Sequence, residues 1–343
     1  MWRPIESCWP RRVSRYRADA VGPMGLVVAA FYRFAALAEE ELVPWRQRLV
    51  ALGQRAEVKG TVLLAPEGVN GTVCGPAPGV EALLAELRSD PRLATLEVKT
   101  AVAPQQTFYR LKVRLKREIV SMGCPTVKPY VGKGALESAA VGTHVPPEQW
   151  DALIADPDTL VIDTRNGYEV ALGSFAGAID PGTASFREFP QWVETGLRPL
   201  VEQRQPKQIA MFCTGGIRCE KATAYLLQQG FAGVHHLQGG ILRYLETVPE
   251  SASSWMGECF VFDQRVTVNH QLEPGEASLC HACRKPLTPA DRQQPSYVEG
   301  VSCLHCIGEH GSDDRARFAE RQRQIGLAKQ RGELHIGKVF DAG

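Results

Sequence analysis

Apolar and polar positions alternate over short distances in residues 25–122, a pattern that is typical of a small α/β unit. Apolar runs predict strands and amphipathic spacing predicts helices, in the order strand 26–34, helix 39–53, strands 58–65 and 69–75, helix 79–90 and strand 93–103. One apolar face of the first helix is formed by Leu42, Trp45, Leu49 and Leu52. The order β-α-β-β-α-β predicts a ferredoxin-like α+β domain.

The segment YRLKVRLKREIV (109–120) alternates almost without interruption. Its apolar positions are Tyr109, Leu111, Val113 and Leu115, and its cationic positions are Arg110, Lys112, Arg114 and Lys116. Because successive side chains of a strand point to opposite faces, we expect one buried face and one cationic face. A cationic face either protects an exposed edge strand or contacts the phosphates of a nucleic acid, and the sequence leaves both open.

A second pattern begins after a linker, 123–147, that is rich in glycine, proline and small residues. Between residues 148 and 250, short apolar runs alternate with helical spacing. The predicted order is helix 148–155, strands 159–165 and 208–214, helix 220–229 and strand 234–241. Apolar strands separated by helices indicate a parallel sheet with helices on both faces, so this part is expected to be an α/β domain.

Three further parts complete the predicted organisation of the 343-residue chain. They are a basic extension with five arginines (1–24), a cysteine-rich region with a strand or hairpin arm near 258–268 (251–312), and a basic tail of helical composition (313–343). A chain of this length is expected to contain two or three domains.

Composition indicates where the protein is located in the cell, but it does not indicate its binding partners. The formal net charge is +1, and no apolar run approaches the ~20 residues that a membrane-spanning helix needs. The N-terminus lacks the apolar core of a secretory signal, and the ten cysteines are not arranged as a disulfide framework. We therefore expect a cytoplasmic protein without membrane association, and targeting to an organelle by the basic extension stays open.

The stretch FCTGGIRC (212–219) carries the clearest chemistry. Cys213 follows a predicted parallel strand and precedes a helix, which is where open α/β sheets bind ligands. Gly215 and Gly216 allow the N–H groups to point inward, while the helix N-terminus and Arg218 add positive charge. These features should lower the pKa of Cys213 and make it a nucleophile. The alternative is a buried structural cysteine.

The length of this loop distinguishes two chemistries. Cysteine-dependent phosphatases use a C-x5-R loop, which is wide enough for a tetrahedral phosphate. Cys213 and Arg218 instead enclose four residues, namely Thr214, Gly215, Gly216 and Ile217. The tighter loop fits a single sulfur atom and favours sulfurtransferase-like geometry over phosphatase geometry.

Other residues near the loop have less specific roles. Cys219 lies in the first turn of the following helix, where it either resolves an oxidised Cys213 or packs beneath the loop. Asp163 and Arg165 end a predicted strand, and we expect them to support the loop rather than to react.

A second cysteine group lies near the C-terminus. CHAC (280–283) and CLHC (303–306) are two C-x-x-C pairs separated by 19 residues. Two cysteines at i and i+3 in a tight turn can reach one ion, so the candidate ligands of a structural Zn²⁺ are Cys280, Cys283, Cys303 and Cys306. Reduced or disulfide-bonded turns are the alternative.

The central α/β domain resembles a rhodanese domain. VIDTRNGYE (161–169) is similar to the rhodanese strand with its D-x-R-x-x-x-E pattern, CTGGIR (213–218) to the active-site loop, and GFAGVHHLQGGI (230–241) to the closing strand and turn. Phe175 occupies the position at which rhodaneses commonly have a histidine.

Longer motifs narrow the resemblance to the rhodanese-containing tRNA uridine hydroxylases, over about residues 25–310. These motifs are KGTVLLAPEGVNGTVCG (59–75), RLKVRLKREIVSMG (110–123), DPGTASFREFPQWV (180–193) and CTGGIRCEKATAYLL (213–227). The resemblance implies conversion of wobble uridine 34 of tRNA to 5-hydroxyuridine with molecular oxygen and an unidentified reductant. It also implies a catalytic Cys213, with Arg218 stabilising the thiolate or its adduct, and makes Arg187 a candidate substrate contact.

Two other functions stay open at this point. A persulfide on Cys213 could transfer sulfane sulfur to an acceptor, or a catalytically inactive rhodanese domain could recruit RNA or protein. The favoured interpretation expects tRNA as the partner and no DNA. Its expected RNA contacts in the predicted strand 109–120 are Arg110, Lys112, Arg114 and Lys116.

Overall fold

A computed structural model describes residues 25–130 and 141–332 of the chain. The predicted basic extension 1–24 lies outside the described residues, as do residues 131–140 of the predicted linker and 333–343 of the predicted tail.

The N-terminal domain is a five-stranded sheet with two helices on one face. Its elements are β1 (Leu26–Phe34), α1 (Glu39–Arg55), β2 (Lys59–Ala65), β3 (Gly68–Pro76), α2 (Ala77–Arg88), β4 (Glu97–Ala103) and β5 (Leu111–Leu115). The strand order is β4-β1-β3-β2-β5, and all pairs are antiparallel except β2 with β5. The first four strands form the predicted ferredoxin-like arrangement, and β5 extends it.

The two faces of this sheet have different environments. Val27 and Phe31 of β1 pack in the core beneath α1 and α2. Ala30 and Tyr32 alternate with them and therefore point to the opposite side, which we call the helix-free face. Lys99 of β4 pairs with Ala30 and shares this face. The helix-free face packs against the second domain.

Strand β5 is shorter than the predicted segment 109–120. Val113 is buried, but Tyr109 and Leu115 are 39% and 36% exposed, so the expectation of a continuous buried face was wrong at both ends. The reason is that β5 is an edge strand, which pairs with β2 on one side only. Val113 lies in the helix-side core, so the alternating cations Lys112 and Arg114 point to the helix-free face.

The second domain contains the predicted parallel sheet, with the order β6-β10-β9-β7. Its elements are β6 (Thr143–Val145), α3 (Pro147–Ile154), β7 (Thr159–Asp163), α4 (Gly167–Val170), β8 (Gly173–Phe175), α5 (Phe189–Trp192), α6 (Arg198–Arg204), β9 (Gln208–Phe212), α7 (Ile217–Gln228), β10 (Val234–Leu237) and α8 (Gly240–Thr247). Separate apolar cores cover the two faces of the sheet, one with α7 and the other with α3 and α8.

Several elements of this domain were not predicted. Strand β6 lies within the predicted linker 123–147, and α4, β8, α5, α6 and α8 are additional. The predicted strand 234–241 ends at Leu237, and α8 begins at Gly240. Gly239 and Gly240 have positive φ angles of 74° and 66°, a conformation that turns the chain sharply into the helix. Ile241 and Tyr244 then bury the inner face of α8.

The C-terminal part consists of short strands and one long helix. Its elements are β11 (Trp255–Gly257), β12 (Cys259–Phe260), β13 (Thr267–Val268), β14 (Ser278–Leu279), β15 (Pro286–Leu287) and α9 (Ser312–Gln330). Strand β11 pairs with β8 of the second domain, so this part is joined to it by a small sheet. Across the described ranges, none of the helices has the length and apolarity to cross a membrane.

Candidate active site

The loop with Cys213 connects β9 to α7 at the carboxyl end of the parallel sheet. Gly216 has a φ of +100°, and its N–H donates a hydrogen bond to Cys213 Sγ at 3.1 Å. A Cβ atom at Gly216 would lie 2.8 Å from Tyr32 Oη, so a side chain there would collide with the N-terminal domain. Glycine at this position therefore serves both the turn and the close approach of the two domains.

The carbonyl groups of the loop are held by donors on its outer side. The N–H groups of Ile241 and Leu242 donate to Cys213 O at 2.9 Å and to Thr214 O at 3.1 Å. Lys99 Nζ donates to Gly215 O at 2.5 Å. The carbonyl groups of three successive residues therefore point away from the cysteine sulfur. N–H groups of the loop can then point toward the sulfur, as the sequence predicted.

The surroundings of Cys213 favour the thiolate. Burial opposes ionisation, but hydrogen bonds from the Cys219 thiol and from backbone N–H groups, together with the charge of Arg218, lower the pKa of Cys213 to about 5. The pKa of Cys219 moves the other way, because burial and the neighbouring Cys213 thiolate favour its protonated form. The pair therefore consists of one thiolate and one thiol that donates to it.

We expect Cys219→Ala to raise the pKa of Cys213, because the thiol donor is lost. Hydrogen bonds to charged groups contribute about 1.5–3 kcal/mol, which corresponds to an upward shift of roughly one to two pH units. Titration of the thiolate ultraviolet absorbance would measure the shift. Cys219→Ser is the matched variant: it keeps a donor but cannot form a disulfide. Full activity of Cys219→Ser would exclude a resolving role.

Arg218 is held by Glu169, a residue to which the sequence assigned no role. Its two terminal nitrogens donate to the two carboxylate oxygens of Glu169, each at 2.7 Å, and both side chains are buried. Glu169 lies in the quoted D-x-R-x-x-x-E pattern, so a signal was present. The pairing fixes the guanidinium beside the loop, and its charge still favours the Cys213 thiolate.

Asp163 and Arg165 form a second buried pair. Arg165 donates to both oxygens of Asp163, at 2.9 and 2.6 Å, and to Gly173 O at 2.6 Å. Ser174 Oγ also donates to Asp163. Neither charged side chain is exposed, which is typical of a structural pair, and support of the loop stays a prediction.

The N-terminal domain supplies residues to the loop that no sequence motif indicated. Ile217 and Tyr32 both pack against a small core between the two domains, which contains Phe34. Tyr32 Oη donates to Glu220 Oε1 at 2.8 Å, in the first turn of α7. The active-site loop is therefore enclosed by the helix-free face.

A buried ion cluster joins the same helix to the N-terminal domain. Lys221 Nζ of α7 lies 2.6 Å from Glu67 and 2.8 Å from Glu118, and none of the three side chains is more than 8% exposed. Glu67 also accepts the N–H of Ile119 at 2.6 Å. These contacts fix α7, and with it the loop, relative to the first domain.

The candidate RNA contacts lie on two separate parts of the surface. The cations of β5 line one edge of the N-terminal sheet, and burial together with Arg110, Arg114 and Arg284 lowers the pKa of Lys112. Arg284 follows a cysteine of the C-terminal cluster, so that cluster lies close to β5. Arg187 is exposed in the turn Phe186–Glu188 that precedes α5.

The four C-terminal cysteines converge as predicted. The Sγ atom of Cys280 lies 3.9 Å from that of Cys306, and the Sγ atom of Cys283 lies 3.7 Å from that of Cys303. A tetrahedral ion with bonds of about 2.3 Å separates its sulfur ligands by about 3.8 Å, so the four thiols could hold a metal ion. All four are free cysteines, which excludes the disulfide alternative in this structure.

Comparisons with known families agree with this architecture. The model of the UPF0176 acylphosphatase-like domain matches residues 26–119, and the model of the rhodanese-like domain matches residues 146–247. Among solved structures, a rhodanese-related protein from Thermoplasma volcanium is 23% identical, covers 31% of this chain and 93% of its own, and has a TM-score of 0.25.

Proteins called tRNA uridine(34) hydroxylase are similar to most of the chain. The one from Synechococcus sp. (strain CC9605) is 57% identical over 305 residues, which are 88% of this chain and 91% of that protein. The one from Agrobacterium fabrum is 55% identical over 312 residues, or 91% of this chain and 95% of that protein. By this similarity, the chain belongs to the tRNA uridine(34) hydroxylase family.

Proposed function

We propose that this protein hydroxylates wobble uridine 34 of tRNA at C5, with molecular oxygen as co-substrate and the Cys213 thiolate as the essential catalytic group. The names of its relatives support the substrate and the reaction. The observation that carries the role of Cys213 is the loop itself, in which Gly216 N–H and the Cys219 thiol hold a negatively charged sulfur.

The reaction sets requirements that this site meets in part. Replacing the C5 hydrogen of uridine by a hydroxyl with O₂ consumes two electrons from a reductant and releases water. The residues around Cys213 stabilise negative charge on its sulfur, or on an adduct of that sulfur, through N–H donors and Arg218. Cys213 and Arg218 thus supply the nucleophile and its charge stabilisation, and the reductant is a separate species.

The cationic residues of β5 are proposed to hold the tRNA. Lys112 and Arg114 point to the same helix-free face that encloses the active-site loop. Arg284 adds a further charge from the C-terminal cluster. Contacts between such residues and phosphates give affinity without dependence on base sequence, as expected for the stem of a tRNA arm.

Sulfur transfer is the second candidate function, because the loop has the rhodanese length of four residues between Cys213 and Arg218. The experiment that separates the two is mass spectrometry of tRNA nucleosides from cells that lack the protein. Restoration of 5-hydroxyuridine derivatives by the wild-type gene, in air but not without oxygen, would support hydroxylation. Restoration of thiolated uridines would support sulfur transfer, and no change in either would contradict both.

We further propose that the four-cysteine cluster binds a structural Zn²⁺. Cys280, Cys303 and Cys306 are buried, and the cluster has little apolar core besides its own cysteines. A closed set of four thiolates leaves no open position on the ion, so the metal would stabilise this part of the fold without taking part in catalysis.

Metal analysis of the purified protein should find about one zinc per chain. Cys303→Ser should lose the metal and lower the thermal unfolding temperature, because a ligand is removed. Cys124→Ser is the matched control: Cys124 is half-buried and lies outside the cluster, so its loss should leave the zinc content unchanged. The proposal would be refuted if wild-type protein without zinc unfolded at the same temperature as the zinc-bound protein.

A further inference from the structure

A cleft lies between the N-terminal sheet and the second domain, beside the active-site loop. Its walls come from β1, β4, α8 and the segment 265–272. Most of the lining is aliphatic and small, as at Ala30, Ala101 and Leu242. The charged groups of the lining are Lys99, Arg243, Glu246 and Arg265. The cleft thus combines an apolar floor with cationic groups.

Lys99 differs from the other cations of this cleft. Arg243 pairs with Glu246 at 2.7 Å, and Arg265 pairs with Asp263 at 2.6 Å. Lys99 Nζ has one acceptor among the described residues, the carbonyl of Gly215, and forms no ion pair there. An ammonium group carries three donors, so two are available to a ligand. Burial lowers the pKa of Lys99, although the Cys213 thiolate, Glu97 and Glu220 act to raise it. Its charge is therefore only partly balanced, and a bound anion would stabilise it further.

The position of Lys99 connects the cleft to the catalytic loop. Its ammonium contacts Gly215, two residues from Cys213, and its side chain lies against Gly239 before α8. The cations of β5 lie at the opposite edge of the same sheet, roughly 19 Å away at about 4.8 Å per strand spacing. The two cationic sites are therefore close enough for one RNA stem-loop to reach both, by passing around the packed helix-free face.

We infer that this cleft binds a nucleotide of the substrate RNA next to the target uridine, with Lys99 contacting its phosphate and the aliphatic floor contacting its sugar and base. The inference rests on the proposed function, since it takes the RNA as substrate. Lys99 is then a substrate-binding residue that also holds the loop carbonyl of Gly215. The cleft brings the target nucleotide to the loop, while β5 holds a more distant part of the RNA.

The salt dependence of RNA binding tests this inference. The probe is a fluorescein-labelled anticodon stem-loop with uridine at position 34, bound to the full-length protein and followed by fluorescence anisotropy between about 50 and 200 mM NaCl. Each lost phosphate contact lowers the slope of log K against log[NaCl] by about 0.7–0.9. We expect this reduction in Lys99→Met, and a wild-type slope in Lys99→Arg, which keeps the charge.

Two further variants complete the design. Lys207→Met removes an exposed lysine that is paired with Asp158 and lies outside the cleft, so its slope should equal that of the wild type. Ala101→Leu narrows the cleft and keeps Lys99, so it should weaken binding while the slope is preserved. The absorbance titration of Cys213, without RNA, shows whether the loop is intact in each variant.

A wild-type slope and affinity in Lys99→Met would overturn the inference, and so would unchanged affinity in Ala101→Leu. If Lys99→Met changed only the titration of Cys213, Lys99 would be a support for the loop and not a phosphate ligand. Failure of the proposed function has a different signature: the wild type would bind the stem-loop without hydroxylating it. The two results are therefore distinguishable.

Discussion

Replacing Cys213 by serine should lower the hydroxylation of uridine 34 by at least about 1,000-fold, as expected when an enzyme loses its nucleophile. Serine has nearly the same shape, so the loop and its hydrogen bonds to Ile241 and Leu242 should persist. The serine hydroxyl, however, does not ionise near neutral pH and therefore cannot replace the thiolate as nucleophile. The measurement is the rate of 5-hydroxyuridine formation in tRNA by purified protein.

The same variant provides the reference for a titration of the thiolate. The difference in ultraviolet absorbance between wild type and Cys213→Ser should have its midpoint near pH 5, because the pKa of Cys213 is lowered to about 5. The thiolate is then fully formed above about pH 6, and activity that depends on it should fall about tenfold per pH unit below the midpoint. A midpoint near about 8.5, the value of an ordinary cysteine, would contradict the proposed environment.

Lys221→Met should destabilise the protein by about 3–5 kcal/mol, because it leaves two buried carboxylates without their cation. Glu67 and Glu118 are only 3% and 7% exposed, and burial already raises the pKa of Glu67. The free energy of unfolding in urea would measure the effect. Since Lys221 belongs to the helix that begins at the loop, we also expect a loss of activity.

Two further variants identify the cause of this destabilisation. Lys207→Met removes a lysine that is exposed and should leave the unfolding midpoint nearly unchanged. The triple variant Lys221→Met, Glu67→Gln, Glu118→Gln removes the uncompensated charges and should recover much of the lost stability. Stability equal to wild type in Lys221→Met alone would show that the ion cluster does not hold the domains together.

The sequence predicted those features that depend on local pattern. The order of strands and helices in residues 25–122 follows from apolar spacing, and the cysteine loop follows from its place between a strand and a helix. The convergence of the four C-terminal cysteines follows from the geometry of two C-x-x-C turns. Each of these arguments needs only residues that are close in the chain, or a known ligand geometry.

The features that were missed depend on contacts between distant segments. Tyr32 and Lys99 reach the loop because one face of the first sheet packs on the second domain, and no periodicity reveals which face that is. The strand EVKTAVA has polar residues at Glu97, Lys99 and Thr100, and this pattern does not single out Lys99. Helix α8 was missed because its first residues look like the end of a strand and a glycine turn.

The ion cluster also sets an order of events during synthesis. Lys221 follows Glu67 by 154 residues and Glu118 by 103, so both glutamates leave the ribosome long before their partner. The first domain has its own apolar core and can fold while the second is still being made. Its docking face is solvated until then. Cys213 therefore becomes enclosed only late in synthesis, after α7 has left the ribosome and docked on the first domain. A chain that ends before α7 would lack the contacts that hold the loop.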